Sequence, residues 1–188
     1  MRPYTFSVDT FHTLLNKFPE YSGINIFIET GTWKGYQTHI ATQAFDTVYG
    51  IELNKHNVAA TKQAAPKAVV IHGDTRVELP HLFKKYKDTP LFIYLDAHYC
   101  LSGEQDKVDF PLWSELALVR QRNLTEIVVI DDTHVFGVNQ GQSHKKDLSV
   151  REWEDVTKES LLDFFEDRVV YSLETCRAFV IFLKKVSK

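Results

Sequence analysis

Four acidic residues, Glu29, Glu52, Asp74 and Asp96, stand 23, 22 and 22 residues apart along a chain of 188. Each follows an apolar run: Ile24 to Ile28, Thr47 to Ile51, Ala68 to His72 (with Gly73 intervening) and Leu91 to Leu95. Short apolar runs bounded by turn residues read as strands buried on both faces. The segments between them read as helices over about Gly35–Phe45, Lys55–Ala65 (stopped by Pro66) and Arg76–Lys87. Strand–helix units this short build one parallel sheet with right-handed crossovers. The four acids then share one edge, the C-terminal edge of the strands, where open α/β sheets bind their ligands.

The flanking chain fits that plan. A helix is expected over Phe6–Phe18, with Phe11, Leu14, Leu15 and Phe18 on one face, Ser7 or Asp9 as its cap and Pro19 as its stop. After Asp96 come a polar loop (Ala97–Asp109), a helix (Pro111–Arg122) and a fifth strand (Glu126–Ile130) that runs into Asp131 and Asp132. The loop Gly137–Leu148 is polar and glycine-bearing, which suits an exposed segment. Ser149 and Glu152 have the spacing of a capping box, opening a helix with Trp153, Val156, Leu161 and Phe164 inward. Arg168–Ser172 and Arg177–Leu183 read as two closing antiparallel strands joined through Leu173–Cys176. The chain is expected to be a single domain over 1–188, with an N-terminal helical segment (1–22) and a core (24–188).

Composition narrows the function classes. A net charge of −3 disfavours non-specific binding to nucleic acid or anionic membrane. No apolar run approaches the roughly 20 residues of a membrane span, and the first residues have no signal-peptide pattern. Two cysteines, Cys100 and Cys176, are too few for a disulfide scaffold, which points to a reducing, cytoplasmic compartment.

The stretch Glu29-Thr-Gly-Thr-Trp-Lys-Gly35 joins the first strand to a helix N-terminus. Its glycines, Gly31 and Gly35, let backbone approach a ligand closely. It lacks the glycine order of a dinucleotide fingerprint and the lysine of a phosphate-cradling loop. A carboxylate at Glu29 repels phosphate and suits an ammonium or sulfonium group. Glu52 sits where a carboxylate accepts both hydroxyls of a ribose. Asp74 lies where an adenine amino group would be. Taken singly, each acid is equally well explained as a helix cap or a solvated loop end; the ordered set of four favours a ligand.

These residues resemble the class I S-adenosylmethionine-dependent methyltransferases. Glu29-Thr30-Gly31-Thr32-x-x-Gly35 resembles their first motif, Glu52 their ribose acid, Gly73-Asp74-Thr75 their adenine-side motif and Leu95-Asp96-Ala97-His98 their fourth. The resemblance runs from Ile24 to the C-terminus. It implies a Rossmann-like, seven-stranded, mostly parallel sheet of order 3-2-1-4-5-7-6 with helices on both faces and an antiparallel C-terminal hairpin. One departure is Trp33, where many members have a third glycine.

Asp96 and His98 end the fourth strand, and Asp131, Asp132 and His134 end the fifth. Three carboxylates suit Mg²⁺, and two histidines would move the choice toward Mn²⁺ or Zn²⁺. This grouping resembles metal-dependent O-methyltransferases acting on sugars, in which acids matching Asp96, Asp131 and Asp132 hold the metal. Plain alternatives stand beside it: Asp131 and Asp132 capping a turn, the histidines packed or hydrogen-bonded. The implied reaction is methyl transfer to a hydroxyl of a sugar or other small molecule, with Asp96 in the catalytic group. His98 is the expected base and His134 its competitor. Tyr99 and Trp33 are candidates for the acceptor wall. Other classes fit less well. A nicotinamide-dependent oxidoreductase is disfavoured by the glycine order and the terminal hairpin. A silent binding module need not keep all four acids. A base methyltransferase is expected to carry an Asn-Pro-Pro-Tyr type motif that this chain lacks. The oligomeric state, a homo-oligomer included, is left open by the sequence.

Overall fold

Seven strands form one sheet: β1 (Ile26–Thr30), β2 (Thr47–Glu52), β3 (Val69–His72), β4 (Phe92–Leu95), β5 (Glu126–Ile130), β6 (Val169–Thr175) and β7 (Ala178–Leu183). Their spatial order is β3-β2-β1-β4-β5-β7-β6. Neighbours from β3 through β5 run parallel, and β7 lies antiparallel between β5 and β6. This is the order expected from the sequence. The computed structural model describes residues 5–97, 111–137 and 155–187. His98, Tyr99, Cys100, Ser149, Glu152 and Trp153 therefore lie outside the described residues.

The sheet is covered on both faces, which is why its central strands are apolar throughout. On one face Ile28, Ile51, Ile93 and Val128 pack under α4 (Thr75–Lys85), α5 (Leu112–Arg122) and α6 (Lys158–Phe165). On the other, Phe27, Phe92 and Tyr94 meet α1 (Val8–Leu15), α2 (Tyr36–Ala41) and the segment before α1. That second core is aromatic. Phe11 sets its ring edge-on to Phe27, Phe45 and Phe92 at 5.5, 5.2 and 5.3 Å. Burial of each such side chain is worth about 1.5–3 kcal/mol. The remaining helix, α3 (Lys55–Ala64), packs on β3 and β2.

Local signals explain most boundaries. Ser7 caps α1 by accepting from the Thr10 amide, while Thr10 reaches back to the Ser7 amide. Pro19 opens a single 3-10 turn over Pro19–Tyr21. The closing hairpin turns at Cys176 and Arg177, whose φ values of 52° and 64° give the doubly left-handed turn that matches strand twist.

Three expectations shift. Glu29 and Glu52 lie within their strands, not past them, because pairing with β4 and β3 carries the ladder through both acids. One continuous helix through Val156 is not formed: Asp155, Val156 and Thr157 are non-helical, Val156 is buried in the core, and α6 begins at Lys158. Its cap is Thr157, paired with Ser160 in the reciprocal manner of a capping box. Finally, α1 and α2 are each shorter than their apolar periodicity suggested, since Asn16 and Thr42 end them.

Candidate active site

The sheet brings Glu52, Glu29, Asp96 and Asp131 to one edge on the adjacent strands β2, β1, β4 and β5. Pairing of Glu29 with Tyr94 across β1 and β4 places those two side chains on the same face.

The loop after β1 is held by close backbone approach. Gly31 has φ 73°, and a Cβ there would lie 2.3 Å from the Asp96 carbonyl oxygen. Its amide bonds to the Ile51 carbonyl at 2.8 Å, while the Asp96 amide bonds to the Thr30 carbonyl at 3.0 Å. The loop is thereby stitched to β2 and to the end of β4 at once. Gly35, φ 75°, starts α2, and a Cβ there would meet the Thr61 Cα at 2.8 Å. The Thr32 side chain is buried, its hydroxyl 2.8 Å from that of Thr61. Thr30 is buried as well. Both threonines thus shape the loop with their side chains.

Glu52 is 5% exposed. Its Oε2 accepts the Trp33 amide at 2.8 Å and its Oε1 the Asn54 amide at 2.9 Å. A carboxylate has about four acceptor positions, so two backbone donors fix it and leave one position on each oxygen for a further hydroxyl. Just beyond it, Leu53, Asn54, Lys55, His56 and His72 line an open cavity of about 470 Å³.

Glu29 is 1% exposed and accepts the Thr38 hydroxyl on Oε2 at 2.5 Å. Burial raises its pKa from 4.5 to about 8, and the nearby charges of Asp131 and Glu52 add to the rise against the Thr38 bond. Without a cation beside it, this group is largely protonated at neutral pH.

Asp74 caps α4. It accepts the Arg76 amide at 2.9 Å and pairs with the Arg76 guanidinium at 2.7 Å. The Arg76 bond holds its carboxyl below the usual range against a partial desolvation. Thr75 follows as the buried first residue of the helix.

Asp131 is held from two sides. Tyr94 donates its hydroxyl to Oδ2 at 2.7 Å, and the Asp132 amide donates to Oδ1 at 2.7 Å. Asp132 adopts φ 58° at the head of a 3-10 turn (Thr133–Val135), and its carboxylate lies 3.6 Å from His134 Nδ1. His134 is solvent-exposed. Among the described residues, no three His, Cys, Asp or Glu side chains are grouped to hold a metal ion. Asp131 accepts one hydrogen bond on each oxygen and, like Glu52, keeps an acceptor position on each.

Sequence reasoning missed Thr38, Tyr94 and the clamp between Phe6 and Gln37. Phe6 donates its amide to Gln37 Oε1 at 2.8 Å, and its ring stands edge-on to Tyr94 at 5.4 Å. Tyr94 carried only a core signal, as a member of an apolar run, and Phe6 stood only as the start of the expected first helix. Thr38 carried a weak one, three residues after Gly35 on the inner face of α2.

A seven-stranded sheet of this order, with an antiparallel end and a glycine loop between β1 and α2, defines the Rossmann-like methyltransferase fold. Solved structures bear this out. A TehB-like S-adenosylmethionine-dependent methyltransferase from Corynebacterium glutamicum superposes with a TM-score of 0.56 at 13% identity, over 96% of this chain and 89% of that one. An S-adenosylmethionine-dependent methyltransferase from Anabaena variabilis gives 0.53 at 14%, over 96% and 87%. The N-methyltransferase NodS from Bradyrhizobium japonicum, in complex with S-adenosyl-L-homocysteine, gives 0.54 at 10%, over 94% and 86%. At such identities the likeness is one of fold. No family model and no curated protein matches the sequence.

Proposed function

We propose that this protein is an S-adenosylmethionine-dependent methyltransferase that methylates a hydroxyl oxygen, with a sugar or glycan as the favoured acceptor. The observation that carries the donor half is Glu52. A nearly buried carboxylate, fixed by the Trp33 and Asn54 amides and adjoining an open cavity, is built to accept the vicinal hydroxyls of a ribose. The cavity past Leu53 gives room for the adenine. Glu29, at the floor of the loop, supplies negative potential where a cationic donor would lie, and a cation there would draw its proton off.

Methyl transfer is an in-line displacement. The acceptor oxygen forms a bond to the methyl carbon as the carbon–sulfur bond breaks, and sulfur takes the electron pair to leave S-adenosylhomocysteine. Holding the two reactants in line supplies much of the rate. The hydroxyl proton passes to an imidazole. His134 beside Asp132 has the arrangement of a base oriented by a carboxylate, and His98 remains the base expected from the sequence. Mg²⁺, Mn²⁺ or Zn²⁺ held by Asp96, Asp131 and Asp132 would lower the pKa of the acceptor hydroxyl, and no step here is routed through it. A hydroxyl on a non-sugar small molecule is the second acceptor class. A nicotinamide-dependent oxidoreductase is disfavoured by the antiparallel β5-β7-β6 end. The protein is proposed to act as one cytoplasmic domain. Among the described residues, no helix is long and apolar enough to cross a membrane.

Calorimetry with S-adenosylmethionine, S-adenosylhomocysteine and NAD tests the donor. Binding of the first two and not the third is expected; the reverse pattern sinks the reading. A methyl-donor assay against a panel of glycans and small hydroxyl compounds, with and without chelator, then tests the acceptor and the metal. Methylation confined to nitrogen acceptors would overturn the oxygen assignment.

A further inference from the structure

β6 is the outermost strand at the antiparallel end of the sheet, and among the described residues it pairs with β7 alone. An edge strand presents a row of amides and carbonyls to whatever comes alongside, and short edges resist such pairing. Of the two edge strands here, β3 has four residues and β6 has seven. Tyr171, 39% exposed, and the half-buried Leu173 stand two residues apart and so share one face of β6. Charge within the strand is confined to Glu174.

The hairpin sets which backbone groups point outward. A two-residue turn, Cys176 and Arg177, joins Thr175 to its paired neighbour Ala178. That closing pair exchanges hydrogen bonds, and the alternation of an antiparallel ladder then aims the backbone of Leu173 and Tyr171 at β7 and that of Ser172 and Glu174 away from it. A bulge lies between Val169 and Tyr171, so the pairing is regular from Tyr171 to Thr175. Two copies of β6 related by a two-fold axis run antiparallel. Ser172 is the midpoint of β6, so an axis there overlaps the whole strand and sets Tyr171 against Leu173 of the second copy, twice. An axis nearer the turn sheds overlap and, at Glu174, opposes like charges. An axis nearer Val169 draws both bulges into the ladder.

We propose that β6 is a homodimer surface, on which a second copy of this chain pairs edge to edge, antiparallel about Ser172, to extend the sheet. Charge supports the same register. It lays the tip of each hairpin, which carries the exposed Arg177, beside the start of the other β6. There Asp163 and Glu166 flank an open cavity of about 540 Å³ that Leu162 and Val169 also line, and Asp167 is exposed next to it. Opposite charges therefore meet at both ends of the paired strands. The ligand edge is left to each copy, so this surface stands apart from the donor reading above.

Sedimentation of the wild-type chain from about 1 to 200 μM tests the dimer, because one strand pair makes an interface at the weak end of the known range. A reversible monomer–dimer equilibrium is expected, with a dissociation constant of about 10 μM. Ser172→Pro removes an outward amide and no bond to β7. Tyr171→Glu removes the partner of Leu173 and keeps a group for Lys17, whose Nζ lies 4.7 Å from the Tyr171 ring centroid. Each is expected to weaken the dimer about tenfold or more. Should Ser172→Pro misfold, Tyr171→Glu decides alone. Under mild oxidation Ser172→Cys is expected to give a disulfide-linked dimer, identified by mass spectrometry of the linked peptide. Facing residues that exchange both bonds hold their Cα atoms about 5.5 Å apart, within disulfide range. Glu174→Cys, set against Val170 of the second copy, is expected to stay unlinked. A wild type that remains monomeric throughout, or a dimer that withstands Tyr171→Glu and a folded Ser172→Pro, overturns the proposal. Linkage through Glu174→Cys in place of Ser172→Cys overturns the register.

Discussion

Thr38 donates its hydroxyl to Glu29 Oε2 at 2.5 Å inside the protein, joining the first turn of the loop's helix to the floor of the sheet. This one bond ties the strand that ends at the glycine loop to the helix that begins there. It also marks the unusual state of Glu29, a carboxyl whose pKa is raised from 4.5 to about 8 by burial with Asp131 and Glu52 nearby.

Glu29 makes stability fall as pH rises. Folding binds a proton wherever the folded group is protonated and the unfolded one is not, which here spans about pH 4.5 to 8. The stabilisation is complete below that window and is lost on rising through it. Glutamine mimics the protonated form, so Glu29→Gln is expected to match wild type near pH 4.5 and to exceed it progressively toward pH 8. Each pKa unit is worth about 1.4 kcal/mol. Thermal melts of the ligand-free protein across this range check it; parallel pH profiles for the two proteins would show that Glu29 is already ionised.

Glu52 is expected to matter for ligand and loop together. In Glu52→Gln one carboxylate oxygen becomes an amide nitrogen, so one of the Trp33 and Asn54 amides faces a donor. The charge that strengthens bonds to ribose hydroxyls is lost as well. A hydrogen bond to a charged group contributes about 1.5–3 kcal/mol, so affinity for S-adenosylhomocysteine should drop roughly 10- to 100-fold. Calorimetry reads this directly, and an unchanged dissociation constant would remove Glu52 from the site.

The shared edge of Glu29, Glu52, Asp96 and Asp131 was legible from the place of each acid after its apolar run, and the strand order from the resemblance of the motifs. The local partners of the acids were less so. Asp74 pairs with Arg76 two residues away, a contact that periodicity does not register. Tyr94 reads as one more apolar strand residue, yet its hydroxyl reaches Asp131 37 positions on, a contact that exists only once β4 and β5 are side by side. The cap of α6 went unread because its pair, Thr157 and Ser160, uses a serine hydroxyl in place of a carboxylate; the Ser149 and Glu152 pair lies outside the described residues.

Gly31 admits no side chain. A methyl group there would lie 2.3 Å from the Asp96 carbonyl oxygen and 2.7 Å from the Ala97 Cα, both backbone atoms of the neighbouring strand end. Relief would require β1 and β4 to separate at the ligand edge or the loop to leave its φ of 73°. Gly31→Ala is expected to cost about 1–3 kcal/mol in denaturant unfolding, in the range of overpacking and backbone strain. It should also abolish S-adenosylhomocysteine binding at temperatures where the variant remains folded. Wild-type affinity in this variant would mean the loop does not need its approach to Asp96.

The opposite edge of the sheet offers a control, because stability there should separate from ligand binding. Glu126, wholly buried at the start of β5, accepts Arg122 Nε at 2.6 Å. The same guanidinium donates to the carbonyls of Phe83, Tyr86 and Thr89 at 3.3, 3.2 and 2.8 Å, closing the end of α4. Arg168 does likewise for α5, donating to the carbonyls of Arg120 and Leu124 at 3.2 and 2.6 Å. Removing one partner of a buried pair leaves an uncompensated charge, which typically costs about 3–5 kcal/mol. Arg122→Leu is therefore expected to lower stability by that order, through Glu126 and through three carbonyls left without their donor. Glu126→Gln should cost less, because the amide keeps an oxygen to accept Arg122 and the three carbonyls still hold its guanidinium. Glu126 lies at the far end of β5 from Asp131, so both variants should bind S-adenosylhomocysteine as wild type does once folded. Urea unfolding paired with calorimetry tests both statements, and a loss of affinity that tracks the loss of stability would tie the two edges of the sheet together.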